Sequence, residues 1–268
     1  MKSKTAFTRK DVIVVLGCVV FLLMTLGAIG SRGRRRAKEA ACLSNLRRMG
    51  SAFSMFATDN DGYFMRGYIG LETEPEDLWM EALRPYYRNP DLRCCPEAVL
   101  PMSEGGFEWN FTFAAWGVFD DDMPSMLPYV AGDYGSYGMN GWVCNPPAGA
   151  GYPYGDDRNW RTVNVAGADK VPLLLGGQWL DGWPGQWDAP PAYEGQWNLF
   201  EPMVDFCLNR HRGFVNGVFL DLSARRIGLK ELWTLKWHRE YNTCGPWTTC
   251  GGMQPSYWPV WMRDFEDY

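Results

Sequence analysis

The stretch VIVVLGCVVFLLMTLGAI, residues 12–29, decides how this chain is organised, because it is a long apolar run close to one end. An apolar run of about 18 residues is near the minimum that crosses a bilayer. Basic residues flank it, with a short leader at residues 1–6 and an arginine cluster at residues 32–36. No small-residue cleavage site of the signal-peptide type follows the run, and a helical pattern continues past it. The sequence therefore predicts a retained membrane helix that extends outward as a stalk.

The stalk continues as an amphipathic helix. Its apolar residues are spaced by about three or four positions, which places them on one helical face: Cys42, Leu46, Met49, Phe53 and Phe56. We expect this stripe to pack against the chain's own domain. The segment Asp59-Asn60-Asp61-Gly62 then ends the helix, with Gly62 in a left-handed conformation. It lacks the further ligands and distal glutamate of a calcium loop.

The remainder of the chain favours short strands and long ordered loops over a helical bundle. It contributes most of the 30 Gly, 18 Pro and 14 Trp residues, a composition rich in turn formers. Strand-like pieces lie at residues 111–116, 138–143, 170–175 and 214–220, and the last is followed by a turn and a returning strand at 224–227. Short helices are predicted at residues 75–88 and 229–237. The predicted fold class is α+β, with long Gly/Pro/Trp-rich loops.

Charge and motif content exclude several functions. The formal net charge is −5, the acidic residues lie in the body of the chain, and the basic residues cluster near the apolar run. A nucleic-acid binder would instead carry a basic face on its folded domain. The chain has 2 His residues and no nucleophile elbow, metalloprotease helix or phosphate loop. We therefore expect no enzyme activity and no cofactor.

The cysteines favour disulfides over a metal site. Cys244 and Cys250 enclose a loop that can bring their Cα atoms within the required reach of about 7 Å. Cys42 on the stalk is expected to pair with Cys94 or Cys95. None of these residues has the spacing of a zinc finger or ribbon, so no metal is expected. Disulfides in turn indicate an oxidising compartment.

Several short segments carry a resemblance to a known family. They are the leader and apolar run, Asn45-Leu46-Arg47, Asp59-Asn60-Asp61-Gly62, Cys95-Pro96, Ser136-Tyr137-Gly138-Met139-Asn140-Gly141, His211 with Asp221, and residues 228–238. In this order and spacing they resemble the bacterial type IV pilin-like proteins. That family has a prepilin-type cleavage and methylation segment and a C-terminal H-x9-D-G motif, and is also described as pseudopilin-like or type II secretion protein G-like. Leu222 stands here in place of the final Gly.

The resemblance implies a domain layout: a prepilin-type leader at residues 1–6, a transmembrane anchor and stalk helix at 7–58, and an extracytoplasmic pilin-like domain at 59–268. The long helix would pack on an antiparallel sheet. A prepilin peptidase would cut between Ala6 and Phe7 and methylate the new amine. Asp11 would neutralise the N-terminal amine of a neighbouring subunit inside the membrane.

These features together predict a membrane-anchored structural subunit of a type II secretion or type IV pilus-like apparatus. Its partners would be other pilin-like subunits, and it would span the bacterial inner membrane once, with a cytoplasmic N-terminus and a periplasmic domain. His211 and Asp221 are interpreted as structural, with Asp221 fixing the turn after a strand. The alternative function is a stand-alone, membrane-anchored binding module whose tryptophans stack on sugar rings, motivated by Trp179, Trp183 and Trp187.

Overall fold

A long helix, α1 (Arg9–Asp59), leads the fold. The computed structural model describes residues 9–101, 111–117, 133–150, 157–198 and 200–268. The predicted apolar stripe of the stalk is confirmed, because Cys42, Leu46, Met49 and Phe53 are all buried. The helix ends where the sequence predicts, and the Gly62 N–H donates to the Ala57 carbonyl in a left-handed cap.

A five-stranded sheet packs against this helix. In spatial order its strands are β6 (Asp181–Gly182), β4 (Tyr137–Asn140), β5 (Pro172–Gly176), β7 (Phe214–Phe219) and β8 (Ala224–Gly228). Neighbouring strands are antiparallel except for β6, which runs parallel to β4. The α1 helix lies across β7, with further contacts to β5 and β8.

Shorter elements complete the fold. A three-stranded sheet contains β1 (Leu100–Pro101), β2 (Ala114–Gly117) and β3 (Tyr134–Gly135). A single α-helical turn, α2 (Trp79–Ala82), lies in sequence between α1 and β1. Within the described ranges, the 3-10 helices are Pro75–Asp77, Arg84–Tyr86, Pro90–Arg93, Phe111–Phe113, Gly141–Val143, Ala168–Lys170, Pro202–Asp205, Lys230–Thr234, Pro255–Tyr257 and Val260–Met262.

The five-stranded sheet separates two hydrophobic cores. Alternate residues of a strand point to opposite faces, and β7 follows this rule. Val218 packs with α1 in one core, which we call the helix-side core. Val215 and Phe219 pack in the other, the tail-side core, with tryptophans of the C-terminal 40 residues such as Trp233 and Trp258. The chain after β8 therefore covers the face that α1 leaves open.

The predicted membrane anchor is wrong. Among the described residues, no helix holds a segment long and apolar enough to cross a membrane. The apolar run of residues 12–29, at about 1.5 Å per residue, extends roughly 27 Å, short of a hydrocarbon core of about 30 Å. This finding overturns the transmembrane part of the predicted fold class and the predicted single-pass location in the bacterial inner membrane, with its periplasmic domain.

Two further fold predictions need correction. The sheet is mixed and not purely antiparallel, because β6 returns beside β4 in the parallel sense. The single helix expected over residues 75–88 is broken into α2 and two 3-10 turns. Leu78 has an extended backbone, with φ −84° and ψ 141°, and separates the first 3-10 turn from α2. Pro85 ends α2, since proline lacks the N–H that would bond to Glu81 and its ring clashes with that carbonyl.

The α1 helix crosses β7 at a glycine. A Cβ atom built on Gly50 would lie 2.9 Å from Val218 Cγ2, whereas one on Gly33, in the same helix, meets nothing within 4 Å. We expect Gly50→Leu to lower the free energy of unfolding by about 1–3 kcal/mol through overpacking. Gly33→Leu is the matched control, and gains about 1 kcal/mol of helix propensity at most. Urea denaturation measures both, and equal effects at the two positions would contradict this packing.

The turn between β7 and β8 depends on Asp221. Its Oδ1 accepts hydrogen bonds from Ser223 N at 2.9 Å and from Ser223 Oγ at 2.6 Å. Leu222 between them has a φ of 66°, so the turn takes a left-handed residue although Leu replaces Gly. Such a conformation costs a non-glycine residue about 1–2 kcal/mol, which the Asp221 bonds help to offset.

Replacing Asp221 with Ala should therefore lower the free energy of unfolding by about 1 kcal/mol, the scale of a lost hydrogen bond. Ser223→Ala is the control, because it removes the hydroxyl donor and leaves the backbone bond to Asp221 in place. The free energy of unfolding should fall clearly less in Ser223→Ala than in Asp221→Ala. Thermal denaturation followed by circular dichroism measures both variants, and the reverse order would refute the assigned role.

Two carboxyl groups near β6 have strongly raised pKa values. Burial, reinforced by the charge of Asp205, raises the pKa of Asp181 from 3.8 to about 8. Burial also raises the pKa of Asp205 from 3.8 to about 7, although a hydrogen bond from Gln178 opposes the shift. Both groups therefore bind protons more tightly in the folded chain than in the unfolded chain.

These two carboxyl groups make the stability of the fold depend on pH. The folded state holds more protons than the unfolded state between pH 3.8 and about 8, so these two groups make stability fall as the pH rises through that range. The double variant Asp181→Asn with Asp205→Asn should flatten the profile. Asp169→Asn, at an exposed position, is the control. A slope unchanged in the double variant, measured by urea denaturation at several pH values, would contradict the assignment.

Candidate functional site

The first candidate surface is the N-terminal part of α1, which projects beyond the domain. Residues 9–21 and 32–38 are exposed. From Arg9 to Lys38 the helix extends about 45 Å at its rise of about 1.5 Å per residue. We call this part of α1 the projecting half. It shares one continuous helix with the buried stripe, so the packing of the stripe on the sheet fixes the direction in which it leaves the domain.

The exposed surface of the projecting half is apolar at its outer end and basic near the domain. The outer end carries consecutive large apolar side chains on all sides of the helix, not on one stripe: Val12, Ile13, Val14, Val15, Leu16, Val19, Val20 and Phe21. Arg32 and residues 34–36 form the basic part. Apolar exposure of this extent marks an interaction surface.

The second candidate site is a buried group of two thiols and an imidazole. Cys42 comes from α1, Cys95 follows the 3-10 helix Pro90–Arg93, and His211 precedes β7. One ligand atom from each residue lies within 4.8 Å of the other two, and all three residues are buried. His211 Nε2 is 3.4 Å from Cys95 Sγ. We call this group the thiol–imidazole cluster.

Neighbouring polar groups hold the cluster in place. The Cys95 N–H donates to Ser136 Oγ at 2.7 Å, and Asn45 Nδ2 donates to the Cys94 carbonyl at 3.0 Å. The Tyr137 hydroxyl lies 3.3 Å from both the carbonyl oxygen and the sulfur of Cys42. Four of the short sequence segments that carry the family resemblance therefore meet at one place, although they lie far apart in the chain.

A buried arginine lies beside the cluster. Arg210 precedes His211 and donates to the carbonyls of Thr112, Ser136, Ala114 and Gly177. These bonds connect the small sheet to the large one and fix the chain at the entry to β7. A carbonyl oxygen carries only a partial charge, so these bonds do not neutralise the guanidinium. Its positive charge therefore acts on the nearby thiols. Burial lowers the pKa of Arg210, and the neighbouring thiols and Tyr137 oppose that shift.

The environment shifts the pKa values of the Cys42 and Cys95 thiols in opposite directions. Burial alone would raise the pKa of Cys42, but hydrogen bonds from Cys95 and Tyr137, the nearby amide of Asn216 and the charge of Arg210 lower it overall. The hydrogen bond to Cys42 raises the pKa of Cys95 well above its ordinary value, and burial adds to the shift. Burial also raises the pKa of the adjacent Cys94 thiol to about 12.

The predicted site residues fall in different places. Cys244 and Cys250 form a disulfide with a Cα–Cα distance of 5.4 Å. Cys42, Cys94 and Cys95 carry free thiols. Cys42 therefore lies near Cys95, as expected, but forms no disulfide with it. The sequence did not indicate that His211 is the third member of this group.

The remaining predicted residues do not form a site together. His211 and Asp221 lie at opposite ends of β7, roughly 20 Å apart for a six-residue strand. The structure thus separates the two residues of the C-terminal motif, one buried and one exposed. Ala6 and Phe7, the expected cleavage position, lie outside the described residues. Asp11 lies in the first turn of α1.

The three tryptophans behind the alternative function have different surroundings. Trp179 is partly buried against the helix-side core, and Trp183 is partly buried against the tail-side core. Trp187 is exposed. They do not share one exposed surface of the kind that stacks on a sugar chain.

Comparison with protein-family models, with curated proteins and with solved structures found no match to this chain. The resemblance to the type IV pilin-like family therefore stays a prediction from the short segments quoted above.

Proposed function

We propose that this chain is a pilin-like structural subunit of a type II secretion or pilus-like assembly, and that it binds neighbouring copies of itself or related subunits through the projecting half of α1. The observation that supports this most is the division of α1. One part of the helix is buried in the domain, and the other part exposes an apolar surface over several turns.

Burial of the projecting half is the energetic basis of assembly. Removing apolar surface from water is favourable by about 25 cal/mol per Å², and a helix that is apolar on all sides is normally buried on all sides. Residues 12–16 are consecutive apolar residues, so no single neighbour covers them. A bundle in which each projecting half contacts several others satisfies this requirement, and a second copy of this chain supplies the matching surface.

We further propose that a prepilin peptidase cuts between Ala6 and Phe7, which would make Phe7 the first residue, two positions before α1 begins at Arg9. The basic residues 32–36 then lie between the apolar contacts and the domain. Their like charges limit how closely neighbouring domains approach, because repulsion between exposed charges acts over about 8–10 Å at physiological salt. This spacing favours contact between helices over contact between domains.

A natural probe for this arrangement is Cys18. All eight cysteines lie in the described ranges, and Cys18 is the free thiol that is exposed. In cells that make the full chain, a bifunctional maleimide should join Cys18 residues of neighbouring subunits and produce covalent dimers on a denaturing gel. Cys18→Ser should abolish these dimers, which establishes the position of the contact.

The contact is then tested by removing its apolar groups. The variant Ile13→Ser with Phe21→Ser, at residues exposed by 69% and 67%, should reduce dimer yield strongly. The matched control is Tyr257→Ser with Val260→Ser, exposed by 69% and 76% at the other end of the chain. A wild-type chain that gives no dimers, or an equal loss in both variants, would refute assembly through α1.

A further inference from the structure

We propose that the thiol–imidazole cluster binds a thiophilic metal ion, and that Zn²⁺ fits it best, with Cys42 Sγ, Cys95 Sγ and His211 Nε2 as ligands. Thiolate and imidazole are the donors that zinc prefers in structural sites. The three donors come from three elements that are distant in sequence, so their convergence is a product of the fold. This inference does not depend on the proposed assembly function.

The distances suit one ion bound to all three atoms. Zinc lies about 2.3 Å from sulfur and about 2.0–2.1 Å from nitrogen, and its ligands are arranged tetrahedrally. Donor atoms around such an ion are therefore roughly 3.5–3.8 Å apart. Cys95 Sγ and His211 Nε2 are 3.4 Å apart, and every pair in the cluster lies within 4.8 Å. Side-chain movements of about 1 Å would complete the geometry, which is within the range of small rotamer adjustments.

An independent observation comes from Asn216. This residue of β7 is 1% exposed, and neither its amide nitrogen nor its amide oxygen has a hydrogen-bond partner of good geometry in the described part of the chain. It lies beside Cys42, near enough to favour the thiolate. A buried amide without partners costs about 1–3 kcal/mol. A fourth ligand, either the Asn216 oxygen itself or a water bound to the ion, would satisfy it.

Charge balance is compatible with the metal. Two thiolates and one divalent cation sum to zero, so binding the ion adds no net charge to the core beyond that of Arg210, where an uncompensated charge is very costly. Arg210 keeps its four carbonyl partners. A Cys42–Cys95 disulfide is the competing state of the same atoms, but it would leave His211 and Asn216 without a role.

Direct metal binding tests the site. The full chain is purified under reducing conditions, stripped with a chelator and titrated with Co²⁺, which reports thiolate ligation by a charge-transfer band. We expect one Co²⁺ per chain, displaced by one Zn²⁺. Cys95→Ser and His211→Asn should each weaken binding by more than the about 10- to 100-fold caused by loss of an outer-shell partner. Cys207→Ser, a buried thiol in the tail-side core, is the matched control with unchanged affinity.

A second measurement uses the wild-type chain alone, in case the variants do not fold. Bound Zn²⁺ should protect Cys42 and Cys95 from alkylation and leave Cys18 reactive, as mapped by mass spectrometry of peptides. Absence of a charge-transfer band with the thiols reduced would overturn the proposal. So would equal alkylation of Cys42 with and without Zn²⁺, or a Cys42–Cys95 disulfide in metal-free protein isolated without reductant.

Discussion

The structure depends on the burial of one half of α1 against the face of a five-stranded sheet. Cys42, Leu46, Met49 and Phe53 lie on the same side of the helix and are all buried. The helix comes closest to the sheet at Gly50, where the absence of a side chain lets it approach Val218 of β7. Because an α-helix is stiff over a few turns, this contact also determines where the outer half goes. The fold thus holds a long, apolar helix away from its own domain.

The unusual composition is explained by how the sheet is covered. Several glycines lie directly beneath aromatic rings: Gly135 beneath Trp116, Gly138 beneath Phe206, Gly141 beneath Trp183, Gly213 beneath Phe265, and Gly228 beneath Tyr268. A Cβ at most of these glycines would overlap the ring, so glycine permits a close approach that no other residue allows. The C-terminal segment forms little regular structure beyond short 3-10 turns. It nevertheless buries the tail-side face, because large rings supply the apolar area that a second helix would otherwise provide.

The parts of the fold that the sequence predicted are those that depend on local pattern. The stalk stripe follows from a period of three to four residues, and its end follows from Gly62. The strand before Asp221 and the returning strand follow from alternation and a turn signal, and both are present as β7 and β8. The helix at residues 75–88 fails because extended backbone at Leu78 and the proline at Pro85 interrupt it. The membrane helix fails because the apolar run of residues 12–29 is of marginal length for a complete span.

Local sequence pattern could not predict the thiol–imidazole cluster, because none of its residues stands out within its own segment. Two of them are disulfide candidates in the sequence and the third is a motif residue, but only the packing of α1 against β7 and against the 3-10 helix Pro90–Arg93 brings them together. Arg210 contributes through bonds to four backbone carbonyls from three chain segments, and a backbone carbonyl as a partner leaves no trace in the identity of the side chain.

The position of the cluster connects it to the rest of the helix. Among the α1 residues whose burial the structure describes, Cys42 is the first buried residue counted from Arg9. It therefore lies where the helix leaves the domain, at the base of a helical segment about 50 Å in length that begins at Arg9. A sideways force on the outer end acts most strongly at this point. Packing alone resists such a force through many weak contacts of about 0.1–0.2 kcal/mol each. In the proposed metal-bound state, the ion would join Cys42 to Cys95 and His211 and resist such a force directly, which would suit the proposed role of a subunit that binds its neighbours through α1.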